Sequence, residues 1–178
     1  LDGHEDAGPP DRSDTGEASD SEVAIALGLV SPLPELLASV APILQPTAIA
    51  MLGPRDLAEL AQAGVASMRG RMAFFADDRE SLAGPAAERV GAALAAVEAD
   101  AFWLHVDLDA LNDESFAAVD YRQPGGWSWE QLDELAAAAA RDPRCRGVSV
   151  VIYNPDRDPD RSGARAVVEF VARLVESC

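Results

Sequence analysis

Ala101-Phe102-Trp103-Leu104-His105-Val106-Asp107-Leu108-Asp109 is the stretch whose reading decides the fold. In an extended chain, Phe102, Leu104, Val106 and Leu108 fall on one face, and His105, Asp107 and Asp109 on the other. A short apolar run of this kind is a strand, and it delivers two carboxylates to its carboxyl end. Unpaired and buried, each would cost several kcal/mol or take up a proton. A shared cation removes that cost. The alternative is a strand end emerging into solvent, with an Asp capping the turn that follows.

Outward from this strand the chain repeats the same pattern. Thr47–Leu52, Met72–Phe75 and Val148–Tyr153 are short apolar runs, the first closed by Gly53-Pro54 and the last by Asn154-Pro155. Helices are expected over Ser21–Gly28, Leu33–Leu44 (interrupted near Pro42) and Arg55–Ala63. Further helices are expected over Ser81–Ala99 with Ser81 as N-cap, Ser128–Ala140 with Gln131 completing a capping box, and Gly163–Val175. In the last, Val167, Val168, Val171, Leu174 and Val175 share one face. Pro9–Ser21 is a polar loop. Strands alternating with helices predict an α/β fold with a mostly parallel sheet covered on both faces, and function at the carboxyl ends of its strands. No linker divides the chain, so residues 1–178 read as one domain.

The 178 residues, 48% of them hydrophobic, suffice for a substantial core. No apolar run approaches the ~20 residues of a membrane span. Acids outnumber bases 31 to 14, for a net charge of −17. That balance argues against nucleic-acid or anionic-membrane partners. It suits cation binding or, equally, a solvated acidic surface. Cys145, in an expected loop, and Cys178 are too few for a disulfide scaffold and lack metal-ligand spacing, which suits a reduced, cytoplasmic protein. The chain opens at Leu1 with its most chemical motif at the second residue, and so reads as the later part of something longer.

That motif is Asp2-Gly3-His4-Glu5-Asp6. Asp2, His4 and Asp6 share parity and point the same way from an extended segment. Two carboxylates and an imidazole converging suit a divalent metal such as Mn²⁺ rather than a thiolate-loving one. A polar tail with incidental acids is the other reading. Combined with Asp107 and Asp109 the motif supplies five ligands, about what a two-metal site needs, with one carboxylate from each cluster bridging.

These motifs, with Gly53-Pro54-Arg55-Asp56, Thr15-Gly16-Glu17 and Tyr121-Arg122-Gln123-Pro124-Gly125-Gly126 in order, resemble the arginase–agmatinase–formiminoglutamase (ureohydrolase) family from Asp2 to about Asp158. The resemblance implies a three-layer α/β/α sandwich around a parallel sheet. It implies two Mn²⁺ ions, bridged by Asp2 and Asp107, with Asp6 on the first ion and His4 and Asp109 on the second. The reaction it implies is hydrolysis of a guanidino or amidine C–N bond by metal-bound hydroxide. Glu17, Ser19 and Asp56 would face a small-molecule substrate.

The chain also departs from the family. One further His ligand, in a G-G-D-H segment, would lie upstream of Leu1, on a longer chain or on a companion chain carrying the N-terminal strands; a homo-oligomer is the other expected assembly. His105 replaces a serine and is expected beside the metals or in a buried hydrogen bond. Ala7-Gly8-Pro9-Pro10 follows the first motif in place of a polar loop. Ser19 stands where a proton-shuttling His is often found. Ile152, two residues before Asn154-Pro155, replaces a Glu that grips the guanidinium, so arginine is not the expected substrate. These departures keep open a non-catalytic metal-binding or assembly module. Trp103, Phe74, Phe75, Phe102 and Phe170 are expected in the core, Trp127 and Trp129 in packing, and 156–161 in a solvated loop.

Overall fold

A computed structural model describes residues 1–13, 15–33 and 35–177, the side chain of Leu36 aside. Four parallel strands alternate with helices in it. The elements are α1 (Glu22–Ala26), α2 (Glu35–Ala38), β1 (Ala50–Gly53), α3 (Leu57–Ala63) and β2 (Phe74–Asp77). They continue with α4 (Ala86–Ala96), β3 (Phe102–Asp107), α5 (Trp129–Ala140), β4 (Cys145–Val151) and α6 (Ser162–Ser177). β1 pairs with β2 from Ala50 opposite Phe74 to Gly53 opposite Asp77. β3 pairs with β4 from Phe102 opposite Cys145 to Asp107 opposite Val151. The α/β fold and its parallel strands are those expected from the sequence.

Local chemistry sets the boundaries. The Ser128 hydroxyl accepts the Gln131 N–H while the Gln131 side chain accepts the Ser128 N–H, so α5 starts with the capping box read from the sequence. α3 ends at Gly64, whose left-handed conformation (φ 69°) lets its N–H close the last turn. The core gathers Leu104, Val106 and Leu108 with Trp127, Leu132, Leu135 and Phe170, all buried. Trp127 packs there with its indole N–H on the Asp78 carbonyl (2.9 Å), and Trp129 donates to the Ser115 carbonyl.

Several expectations are corrected. Leu33–Leu44 holds only the single turn Glu35–Ala38 as α-helix; its Pro34, like Asp14 of the polar loop and Cys178, lies outside the described residues. Ser81 is no N-cap. It sits in a 3₁₀ turn (Glu80–Leu82) with its hydroxyl on the Ala76 and Asp77 carbonyls, and α4 begins after Pro85. The loop 9–21 contains 3₁₀ turns at Pro10–Arg12 and Ala18–Ser21. Cys145 opens β4 rather than lying in a loop. β3 ends at Asp107, and Asp109 belongs to a following 3₁₀ turn, Leu108–Ala110, so the parity argument stops one residue early. Trp103 is 62% exposed and lies over Gly147, which leaves room for the ring. On α6, Phe170 and Leu174 are the buried pair, and Val168, Val171 and Val175 face out. Within 156–161, Asp158 is buried, accepting from the Gly163 and Ala164 N–H groups and from the Tyr153 hydroxyl.

The two strand pairs are joined through the first three residues. Leu1 N donates to the His105 carbonyl and accepts, through its own carbonyl, the Asp107 N–H, both at 2.8 Å. Asp2 N donates to the Leu52 carbonyl (3.1 Å), and Arg55 N to the Gly3 carbonyl (2.9 Å). Residues 1–3 thus form a wedge between β1 and β3 at their carboxyl ends.

Candidate metal centre

The wedge carries Asp2 and His4 to the end of β3. The Asp2 carboxylate, the His105 ring and the Asp107 carboxylate each present an atom within 4.8 Å of the other two, and so do Asp2, His4 and Asp109. Asp2 is common to both groups. The Asp2, Asp107 and Asp109 side chains are nearly sequestered from solvent. His4 Nδ1 lies 2.9 Å from Asp109 Oδ2, and His105 Nε2 lies 3.9 Å from Asp2 Oδ2.

Backbone groups aim these carboxylates. Asp2 Oδ1 accepts the His4 N–H, Asp107 Oδ1 accepts the Asp109 N–H, and Asp109 Oδ1 accepts the Gly3 N–H (3.1 Å). A Cβ at Gly3 would come within 2.7 Å of Asp109 Oδ1, so position 3 has no room for a side chain. Arg55 Nη2 donates to the Asp109 carbonyl (2.7 Å), which ties the turn after β1 to the turn after β3.

The remaining expected residues are placed less uniformly. Asp6 lines the same cavity of about 280 Å³ as His4, Asp107 and Asp109, but stands outside both tight groups; its φ of 47° is the left-handed turn that ends the extended segment. Ser19, Asp56 and Ile152 also line that cavity. Glu17 is exposed and accepts the Tyr121 hydroxyl (2.7 Å), and the Tyr121 ring stands edge-on to His4 at 6.3 Å. Asp56 is buried; its Oδ2 accepts the Glu5 N–H, while Oδ1 finds no partner among the described residues. His105 places Nδ1 3.0 Å from the Ser149 hydroxyl and Nε2 3.9 Å from Asp2 Oδ2.

The electrostatics follow from crowding of like charges. Burial, reinforced by the Asp109 and Asp2 carboxylates, pushes Asp107 up to about 10. Burial and the Asp2 charge push Asp6 to about 9; burial and Asp109 push Asp2 to about 7. Burial alone would lower His4, but the hydrogen bond and charge of Asp109, with help from Asp56 and Asp2, lift it to about 9. Against its burial, Asp109 is held below the usual range by His4. Burial raises Asp56 to about 6 and lowers His105. The donor set therefore holds protons that divalent cations would displace, and its oxygen and imidazole atoms fit hard to borderline ions.

Three contributors escaped the sequence reading. Arg55 and Tyr121 were visible only as parts of turn motifs. Glu5 has opposite parity to Asp2 and His4, which was a signal: its fully buried carboxylate accepts the Ser67 hydroxyl (2.6 Å) and the Met68 N–H, clamping the segment from its other side.

The Arginase family model matches residues 1–176. No curated protein matches the chain in sequence. Among solved structures, the arginase of Entamoeba histolytica in complex with L-ornithine superposes with a TM-score of 0.79 at 22% identity, over 97% of this chain and 57% of that one. The Bacillus caldovelox arginase gives 0.78 at 18%, over 97% and 57%. Formimidoylglutamase from Bacillus subtilis gives 0.69 at 15%, over 99% and 51%. The chain thus spans between half and three-fifths of the length of these structural relatives.

Proposed function

The chain belongs to the arginase family, and from that premise we propose that residues 1–178 form one arginase-like domain of a ureohydrolase-type metallohydrolase. The observation that carries this reading is the convergence of Asp2, His4, Asp107 and Asp109 at the carboxyl edge of β3. Asp2, shared by both groups, and Asp107 are the bridging candidates; His4 and Asp109 would hold one ion, Asp6 the other, and His105 would orient Asp2. A further imidazole, upstream of Leu1 on a longer chain or on a companion chain, would complete the set. The absence of thiolate among the donors favours Mn²⁺. Such an ion pair supplies Lewis acidity and an acidified water for attack on a C–N carbon.

The chain's own groups would set the substrate. Asp56 Oδ1, buried and unpartnered in the cavity wall, is placed to accept an N–H from an amidine or guanidine-like group. Ile152 offers an apolar wall where a guanidinium would need a carboxylate, so arginine is not the substrate. Ser19, on the cavity lining, and Glu17, held by Tyr121, would contact the distal part of a small molecule. The composition suits a cytoplasmic enzyme, with assembly as a homo-oligomer or with a companion chain. No helix among the described residues is long and apolar enough to cross a membrane.

The test is metal analysis together with urea or ammonia release from a panel of guanidino, amidine and formimino compounds, using the Mn²⁺-loaded whole protein. About two ions per chain and turnover of a non-arginine member are expected. No retained cation overturns the reading. Retained cation without turnover favours a metal-dependent binding module, the alternative that Ile152 in the cavity wall supports.

A further inference from the structure

The His105 ring is held at the edge of the metal centre by contacts on both of its sides. On β3, residues 105 and 107 alternate with the buried Leu104 and Val106, so the His105 and Asp107 side chains project to the same side. Asp2 reaches that side from the wedge, and the three side chains each present an atom within 4.8 Å of the other two. His105 Nε2 stands 3.9 Å from Asp2 Oδ2. That is too long for a hydrogen bond. It fits two donors on one ion, which at ~2.1 Å each lie at most ~4.2 Å apart.

The other nitrogen of the ring faces β4. Ser149 lies directly opposite His105 in the β3–β4 register. Its Oγ lies 3.0 Å from His105 Nδ1 and accepts the Trp103 indole N–H at 3.2 Å. A Cβ at position 147 would run into the Trp103 ring, so Gly147 leaves the room that lets the indole lie over β4. A hydroxyl oxygen has two lone pairs, enough to accept the indole N–H and a Nδ1–H together. With its proton on Nδ1, the ring turns the Nε2 lone pair towards Asp2 and Asp107. An oxygen acceptor on one imidazole nitrogen is what fixes the tautomer and the aim of a metal-binding histidine.

We propose that His105 Nε2 is a direct ligand of the ion that Asp2, Asp6 and Asp107 would hold, and that Ser149, steadied by Trp103, positions the ring for it. The inference rests on the metallohydrolase reading and takes His105 beyond orienting Asp2. Each ion takes one imidazole from this chain, His4 on one side of Asp2 and His105 on the other. The serine that the family resemblance implies at position 105 has no such nitrogen. An imidazole in its place moves the preference of this one ion site towards borderline ions such as Zn²⁺.

Zn²⁺, which is diamagnetic, is the probe, added stepwise to protein carrying ¹⁵N in its histidines. In the loaded protein His105 Nε2 is expected to show the nitrogen shift of a metal-bound imidazole, with the proton kept on Nδ1. His105→Ser assigns that signal. It is expected to weaken one of the two ions by about 100-fold, more for Zn²⁺ than for Mn²⁺, and to leave the other. Ser149→Ala is expected to cost about 10-fold at the same ion, and Ser149→Thr, which keeps the hydroxyl, to restore it. The nitrogen shift of the unaltered protein decides the matter even where a variant folds poorly. A His105 Nε2 that keeps its metal-free shift in the loaded protein, or unchanged affinity in His105→Ser, overturns this proposal and leaves the metal centre standing. Unaltered protein that retains no cation overturns both.

Discussion

At the carboxyl ends of β1 and β3, residues 1–3 tie the strands together through directional hydrogen bonds; towards the amino ends, the same strands enclose apolar space. The two halves of one seam follow different physics. The polar half gathers Asp2, His4, Asp107 and Asp109 in geometry fixed by named N–H groups, so an error of an ångström leaves a buried charge without a partner. The apolar half relies on area removed from water, which has no direction and accepts many shapes. Rigidity and specificity should therefore concentrate at one end and tolerance at the other.

Gly53→Ala should break this contrast most severely. Gly53 holds φ 113°, and an added Cβ would run into the Asp2 carbonyl and approach Trp127. Backbone strain plus overpacking should cost about 2–4 kcal/mol and dislodge the wedge. Denaturant unfolding measures the first and Mn²⁺ titration the second; a variant that keeps both would show the wedge to be pliable.

Asp107→Asn should act on cation binding alone. In the cation-free protein Asp107 is held protonated, its pKa near 10, so the amide replaces a neutral group. Mn²⁺ affinity should fall by about 100-fold or more, roughly 2.7 kcal/mol, with the cation-free Tm nearly unchanged. Equal destabilisation with and without Mn²⁺ would make Asp107 structural.

The pH dependence sharpens the comparison further. Asp107, Asp6 and Asp2 keep protons to about 10, 9 and 7 in the folded chain, well above their ordinary 3.8. The folded state then binds more protons than the unfolded one, so stability falls as pH rises from about 4 towards 10. His4, lifted from 6.5 to about 9, works in the same direction: its contribution is complete below 6.5 and lost towards 9. Thermal melts with a chelator at pH 5, 7 and 9 should descend in that order, and Mn²⁺ should flatten the slope. A rise in Tm with pH under chelation would contradict the crowding of these carboxylates.

The smallest effect compares two alanines. Ala50→Leu, on the half-buried edge of β1 facing an apolar slot of about 410 Å³ between β1, β3 and α4, should change stability by less than about 0.5 kcal/mol. The same substitution at the fully buried Ala136 of α5 should cost about 1–3 kcal/mol by overpacking. Equal costs would mean that the slot is as tightly packed as the core.

The legibility of the sequence divides along similar lines. β3 and α5 could be read well because a continuous apolar run and a capping box are local signals. Asp107 could be placed because strand parity carries it to the carboxyl end of β3, whereas Asp2 and His4 reach it from a segment that bends at residues 3–4 and belongs to no strand. Asp109 was placed with them for a reason that does not hold, since the chain leaves the strand at Asp107 and a 3₁₀ turn brings Asp109 round to His4. Trp103 misled because its partner is Gly147 on β4, a long-range relation that no local pattern records. The expected helix over 33–44 failed for a local reason: Pro42 lacks the N–H that an interior turn needs. The slot lay beyond any reading of periodicity, since it depends on how far apart two strands stand.

Glu5 adds a constraint on how this sequence can drift. It alternates with Asp2, His4 and Asp6 but answers to different groups, accepting from the Ser67 hydroxyl and the Met68 N–H. Glutamine could serve only by giving its NH₂ to the Ser67 hydroxyl oxygen while its own oxygen keeps the Met68 N–H, and aspartate would fall a methylene short. Position 5 therefore tolerates substitution poorly although it offers the cavity no ligand atom, and a survey of variants would find its permitted residues coupled to those at position 67 rather than to those at 107 or 109.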